Sequence, residues 1–221
     1  MWRILHDFDG CVAWLSSRIL PVVERRAPYR QEIADGVEER RLRPIEWDER
    51  CCNNCGMSNR TREIFDAIHR APANGRQVLA LSRADAEQLP LIDGVAMISI
   101  TAPERPPAQL PEHPFLLRMS FADVDFLSTD LSERAKAKLP DAMTKRQAAE
   151  VLEFARTLPD SVKTLLVHCE GGFSRSCGVA AALGEIFQYE VEATRLGGAN
   201  PSVKKLLLQE AKGDNKRKRS R

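Results

Sequence analysis

Thr164-Leu165-Leu166-Val167-His168-Cys169-Glu170-Gly171-Gly172-Phe173-Ser174-Arg175-Ser176 is the stretch on which the reading of this chain turns. Its first four residues form a short apolar run with the length of a buried strand. From Ser176 to Phe187 the sequence reads as an apolar helix. A glycine-containing turn joins the two, with a cysteine at its start and an arginine six positions on. A loop that enters a helix this way points successive backbone N–H groups into one concavity, an anion nest. Gly171 and Gly172 allow the backbone conformations such a nest needs. Arg175 can present two N–H groups to two oxygens of one phosphate. The residues Glu170, Gly171, Gly172, Phe173, Ser174 and Arg175 are therefore the candidate substrate-binding loop. At its mouth the positive field would favour the thiolate of Cys169. Ser176 can hydrogen-bond that thiolate, and His168 is expected to brace the loop rather than act as a base.

Outward from this stretch the chain alternates strand-like and helix-like segments. Residues 77–81, 95–100 and 115–121 read as strands, the last after a Pro-rich connection from Pro103 to Pro114. The segment Arg83 to Leu89 reads as a helix stopped at Pro90, and Asp130 to Leu139 as a short helix. A longer helix starts at Thr144, where Thr144 and Gln147 have capping-box spacing and Val151, Leu152 and Ala155 fall on one face. Asn200-Pro201 opens another, with Asn as N-cap and Pro at the first helical position. Strands separated by helices imply an α/β fold with a central, mostly parallel sheet flanked by helices. Its expected span is 76–213. Residues 1–75 read as an irregular N-terminal extension with no assigned role, and 214–221 as a basic disordered tail.

Composition limits the function classes. The chain has 221 residues with a net charge of +2. From Lys212 to the end there are six basic residues against one acidic, so this segment carries +5 and the rest −3. The body is thus not a basic nucleic-acid-binding surface by composition, and nucleic acid could be met only through the tail. No apolar run approaches the roughly 20 residues of a membrane helix, and no N-terminal stretch has the layout of a secretion signal. A cytoplasmic, reducing setting is expected, with the six cysteines as thiols rather than a disulfide framework.

The run His168-Cys169-x-x-Gly172-x-x-Arg175-Ser176 resembles the signature of the cysteine-based protein tyrosine phosphatases, and the layout resembles their small dual-specificity branch. Residues 78–83, 97–101, 117–125 and 200–203 resemble bacterial and phage versions. This resemblance implies a metal-independent, two-step hydrolysis. Cys169 would attack phosphorus to form a phosphocysteine, Arg175 and the loop amides would hold the phosphoryl oxygens, and a carboxylic acid would protonate the leaving group and then activate water. In the small phosphatases that acid follows a strand upstream of the signature, so Asp123 is the first candidate. Asp125 lies two positions on and would point the same way along extended backbone. Asp130 and Asp141 are weaker alternatives. The loop contains no Lys, whereas relatives acting on inositol lipids often place basic residues there, and Glu170 adds a negative charge. A phosphoprotein substrate is expected, with phosphotyrosine against phosphoserine or phosphothreonine left to pocket depth. Two alternatives stand beside it: a polynucleotide 5′-phosphatase on the same scaffold, and a catalytically weak phosphate-binding module.

Other motifs carry less. The run His6-Asp7-Phe8-Asp9-Gly10 resembles the first motif of haloacid-dehalogenase-type phosphatases, but no later acidic pair completes a Mg²⁺ site. The cluster Cys51, Cys52 and Cys55 is half of a zinc motif without a matching second half. Cys177 could form a disulfide with Cys169 on oxidation, although its place on a helix suits a packed thiol. Oligomeric state is not legible.

Overall fold

Gln77–Ser82 (β1) and Thr164–Cys169 (β4) lie side by side at the centre of a five-stranded sheet. The computed structural model describes residues 59–219, with side chains through 213. These residues belong to a compact unit, Trp47–Arg221; a second unit, Met1–Glu46, lies outside the described residues. The same holds for Asp7, Asp9, Cys51, Cys52 and Cys55.

The remaining strands are Val95–Thr101 (β2), Leu116–Ser120 (β3) and Glu190–Val191 (β5). The sheet order is β3-β2-β4-β1-β5 and every pairing is parallel. The fold is α/β, with helices on both faces. β1, β2 and β4 are almost wholly buried along their length, as continuous apolar strands covered on two sides must be.

Period-2 alternation divides each strand between two cores. On one face Val78, Ala80, Ile98, Ile100, Leu165 and Val167 pack with Lys145–Thr157 (α4), Arg175–Phe187 (α5) and Pro201–Arg219 (α6). On the other, Leu79, Leu81, Met97 and Leu166 pack with Asn59–His69 (α1) and Arg83–Gln88 (α2). A one-turn helix, Glu133–Lys136 (α3), lies before α4. The predicted capping box of α4 is present: the Gln147 N–H donates to Thr144 Oγ1 at 3.2 Å, and the Thr144 N–H to Gln147 Oε1 at 2.9 Å.

Three differences from the sequence-based expectation have physical causes. Residues 59–69 are helical, not irregular. Thr61, Ile64 and Ile68 are the buried residues of α1, at the i, i+3, i+7 spacing of one helix face. Residues 214–219 continue α6 instead of forming a disordered tail. A helix already nucleated at Asn200-Pro201 needs only one further hydrogen bond per residue, and Lys and Arg are good helix formers that suit a C-terminal end. The expected helix over 130–139 shortens to α3, followed by a 3-10 turn at Leu139–Asp141; Pro140 denies the next turn an N–H donor. β5 has only two residues, too short for a periodic signal. Among the described residues no helix is long and apolar enough to cross a membrane.

Candidate active site

All five strands run parallel, so their C-terminal ends share one edge of the sheet, the usual place for a binding crevice in such folds. β4 ends there at Cys169, in register with Ser82 of β1. The loop that follows turns back over β1 before entering α5. Gly172 makes that turn at φ +75°, and a Cβ on it would lie 2.4 Å from the Ser82 nitrogen and 2.6 Å from the Leu81 carbonyl carbon. Both the dihedral and the contact exclude a side chain. Gly172→Ala should therefore destabilise the fold by about 3 kcal/mol and displace the loop. Thermal unfolding together with activity checks this; an unchanged melting temperature would contradict the loop geometry.

The turn draws the candidate residues together. Cys169 is 2 % exposed. The Gly172 N–H donates to its Sγ at 3.3 Å, and the Ser176 Oγ lies 3.2 Å from the same sulfur. Arg175, the first residue of α5, is 3 % exposed. Its Nη1 donates to the Phe121 carbonyl at 2.8 Å, whereas its buried Nε has no hydrogen-bond partner. Among the described residues Asp123 Oδ2 pairs with that Nε at 3.8 Å, an ion pair by distance but too long for a hydrogen bond. A buried donor left open in this way is costly unless something fills it.

Asp123 reaches the loop and Asp125 does not. Asp123 Oδ1 accepts from Ser174 Oγ at 2.7 Å and from Asn200 Nδ2 at 3.1 Å. Asp125 instead accepts from the Ser202 hydroxyl at the start of α6, and Ser202 Oγ also accepts the Leu127 N–H at 2.8 Å. The backbone leaves β3 at Ser120, so the expectation that both carboxylates point the same way along extended chain fails. Neither Asp130 nor Asp141 has a hydrogen bond or ion pair to the loop among the described residues; Asp141 contributes its carbonyl, which accepts the Ala122 N–H at 2.7 Å.

Asn200 is more than the helix cap that its sequence position suggests. Its Oδ1 accepts the Val203 N–H at 3.1 Å, closing the cap, while its Nδ2 holds Asp123 and the Val124 carbonyl. Its own N–H donates to the Ser174 carbonyl at 3.0 Å. One residue, through side chain and backbone, thus ties α6, the Asp123 segment and the signature loop. No spacing rule in one sequence could show this.

The other loop residues occupy distinct places. Glu170 turns its carboxylate toward Arg83, with 3.5 Å between Oε1 and Nη1. Phe173 is 63 % exposed, with its ring over Gly171. Cys177 is buried in α5, and its Sγ lies 3.3 Å from the Arg195 carbonyl; burial pushes its thiol up from the ordinary value. Cys169 and Cys177 are both free thiols.

His168 is 1 % exposed and faces away from the sulfur, with Nε2 2.8 Å from Ser99 Oγ on β2. Burial lowers its pKa from 6.5 to about 4. The folded state therefore resists a proton that the unfolded state accepts, so stability holds above pH 6.5 and is lost as pH falls toward 4. The loss reaches about 3 kcal/mol at 1.36 kcal/mol per pH unit. Urea unfolding at pH 7 and pH 4.5 should show that drop, and His168→Gln, which can still bond Ser99, should flatten it. An equal slope in both proteins would contradict the assignment.

Among the described residues no group of three or more His, Cys, Asp or Glu side chains is placed to hold a metal ion. No protein-family model and no curated protein matches the chain. Two solved structures resemble it. One is a crystal structure of PTPMT1, at 18% identity over 66% of this chain and 96% of that one, with a TM-score of 0.38. The other is PTPMT1 in complex with PI(5)P, at 17% identity over 64% and 94% of the two chains, also with a TM-score of 0.38.

Proposed function

We propose that this chain is a cysteine-dependent phosphatase that hydrolyses phosphate monoesters on phosphoproteins. The observation that supports this most is the buried Arg175 with its Nε open, in a loop that also holds Cys169, Ser176 and the Asp123 contact. In the first step the Cys169 thiolate attacks phosphorus, the S–P bond forms and the P–O ester bond breaks. Asp123 passes its proton to the departing oxygen. In the second step the Asp123 carboxylate takes a proton from water, whose oxygen attacks phosphorus. The S–P bond breaks, inorganic phosphate leaves and the Cys169 thiolate returns, stabilised by the Ser176 hydroxyl. Arg175 and the loop N–H groups carry the charge on the phosphoryl oxygens throughout.

Residues 170–174 contain no Lys, and the one charged side chain among them, Glu170, faces Arg83. That arrangement suits one phosphate on a peptide better than a polyanionic headgroup. The exposed Phe173 ring beside the loop offers a surface for the aromatic ring of phosphotyrosine. A reducing, cytoplasmic setting fits the requirement that Cys169 stay a thiolate.

The test is hydrolysis of an aryl phosphate and a phosphotyrosine peptide with EDTA present. Turnover of both is expected. Loss of activity in EDTA would overturn the metal-independent reading, and faster phosphate release from 5′-phosphorylated RNA than from peptide would overturn the substrate class.

A further inference from the structure

A second cationic site lies at the same edge of the sheet. A cavity of about 230 Å³ is lined by Thr101, Arg105, Pro107, Arg118, Met119 and Ser120. Among the described residues several arginines face a carboxylate: Arg60 meets Glu192, Arg76 meets Asp160, Arg83 meets Glu87 and Arg146 meets Glu150. Arg105 and Arg118 form no ion pair among the described residues, and no acidic side chain lines their cavity. An anion entering this cavity would meet two positive charges.

The site is built on rigid backbone. Thr101 and Ser120 are register partners at the last positions of β2 and β3, and Arg118 is the partner of Ser99. These residues share the sheet face covered by α1 and α2, opposite the face on which Cys169 lies. Arg105 sits between Pro103 and Pro106, whose φ angles are fixed. Its N–H donates to the Ala102 carbonyl at 2.9 Å. Arg118 Nη1 donates to the Ala108 carbonyl at 3.0 Å, and Arg83 holds the carbonyls of Pro106 and Pro107 at 2.9 and 3.0 Å. Arg118, held in this way, loses little freedom on binding.

The Phe121 backbone links the lining of this cavity to Arg175. The Phe121 N–H donates to the Thr101 carbonyl at 3.2 Å, and its carbonyl accepts from Arg175. β3 lies two strands from β4 in the sheet, a lateral offset of at least about 10 Å at 4.8 Å per strand. An extended peptide needs at least about three residues to cover it at roughly 3.3 Å each.

We propose that Arg105 and Arg118, with the Thr101 and Ser120 hydroxyls, form an accessory subsite for a second acidic group of an extended phosphopeptide, a phosphate or a carboxylate about three to five residues from the phosphate being hydrolysed. The proposal rests on the phosphatase reading above. A peptide suits the site better than a membrane because the loop carrying Arg105 exposes polar residues and prolines. The exposed large apolar side chains among the described residues, Leu91, Leu127, Leu139 and Phe173, lie elsewhere.

The test compares three sets of phosphotyrosine peptides, with phosphoserine, Glu or Ala three, four or five residues from the phosphotyrosine on either side. The native protein should favour the phosphoserine and Glu peptides over Ala by about tenfold in kcat/KM, less so at high salt. Arg105 has no side-chain hydrogen bond among the described residues, so Arg105→Ala should reduce the preference to about twofold and Arg105→Glu should reverse it. Both variants should hydrolyse a simple aryl phosphate at the native rate. Absence of a preference, or its survival in Arg105→Glu, overturns the subsite. If the native protein fails to hydrolyse the aryl phosphate, the phosphatase reading falls instead. Fluorescence anisotropy of the labelled phosphoserine peptide then decides the subsite: weaker binding by Arg105→Glu supports it and equal binding overturns it. Binding to phosphatidylcholine vesicles carrying a phosphoinositide, lost in Arg105→Glu without any peptide preference, would also overturn it.

Discussion

Cys169→Ser is expected to lower hydrolysis of an aryl phosphate by roughly 10⁴-fold or more, with little change in melting temperature. The reasons are local. A serine hydroxyl is a nucleophile only with a base beside it, and the neighbouring imidazole cannot serve. His168 points to Ser99, not toward the sulfur, and burial holds it neutral down to about pH 4. The hydroxyl can still accept from the Gly172 N–H and meet Ser176, the two partners that Cys169 has now. Loop and fold should therefore persist, and the variant should still bind a phosphotyrosine peptide through Arg175. Steady-state rates and peptide titration on the same preparation check both halves. Native-like activity in Cys169→Ser would remove the nucleophile from the account.

The second large effect is at Asp123. Asp123→Asn should reduce kcat about 10²- to 10³-fold, the range for loss of a positioned proton donor. The reduction should be larger for a phenyl or alkyl phosphate than for an activated aryl phosphate, because a poor leaving group depends more on receiving a proton. The amide can still meet Ser174 and Asn200, so the segment need not move. Asp125→Asn should instead change kcat less than about threefold and act on stability, because Asp125 holds Ser202 and, through it, the Leu127 N–H. Parallel kinetics on a series of leaving groups separate the two. Equal losses in both variants would contradict the assignment.

The chemistry-bearing stretch was legible because it is local. Thr164–Val167 is apolar enough for a central strand, the glycines mark the turn, and Cys169, Arg175 and Ser176 fall within eight residues of one another. The same locality made the capping box of α4 readable at Thr144 and Gln147. What stayed hidden depends on distant segments. Asp123 and Asp125 are equivalent under a parity rule, and only the pins on the chain around them separate the two: Phe121 to Thr101 and Arg175, Ala122 to Asp141, Val124 to Asn200. Asn200 reads as a cap from its neighbours, and its hold on Asp123 comes from 77 positions away. The helix α1 was present as a spacing of Thr61, Ile64 and Ile68 but submerged among charged residues. Arg105 and Arg118 are unremarkable in a chain with 33 basic residues, until the fold shows which of the others already face a carboxylate.

In the proposed reaction phosphate passes through Cys169, and the identity of the phosphorylated residue is the most direct measurement of it. Ser176→Ala should slow breakdown of the intermediate, because the departing sulfur loses the hydroxyl at 3.2 Å. Turnover of an aryl phosphate by this variant, stopped by denaturation at neutral pH within the first turnover and followed by peptide mass spectrometry, should show one phosphoryl group on the peptide carrying Cys169, with a matching burst of released phenol. The same peptide should stay unmodified in Cys169→Ser. A phosphoryl group carried instead by an aspartate such as Asp7, with Cys169 unmodified while turnover proceeds, would contradict the account.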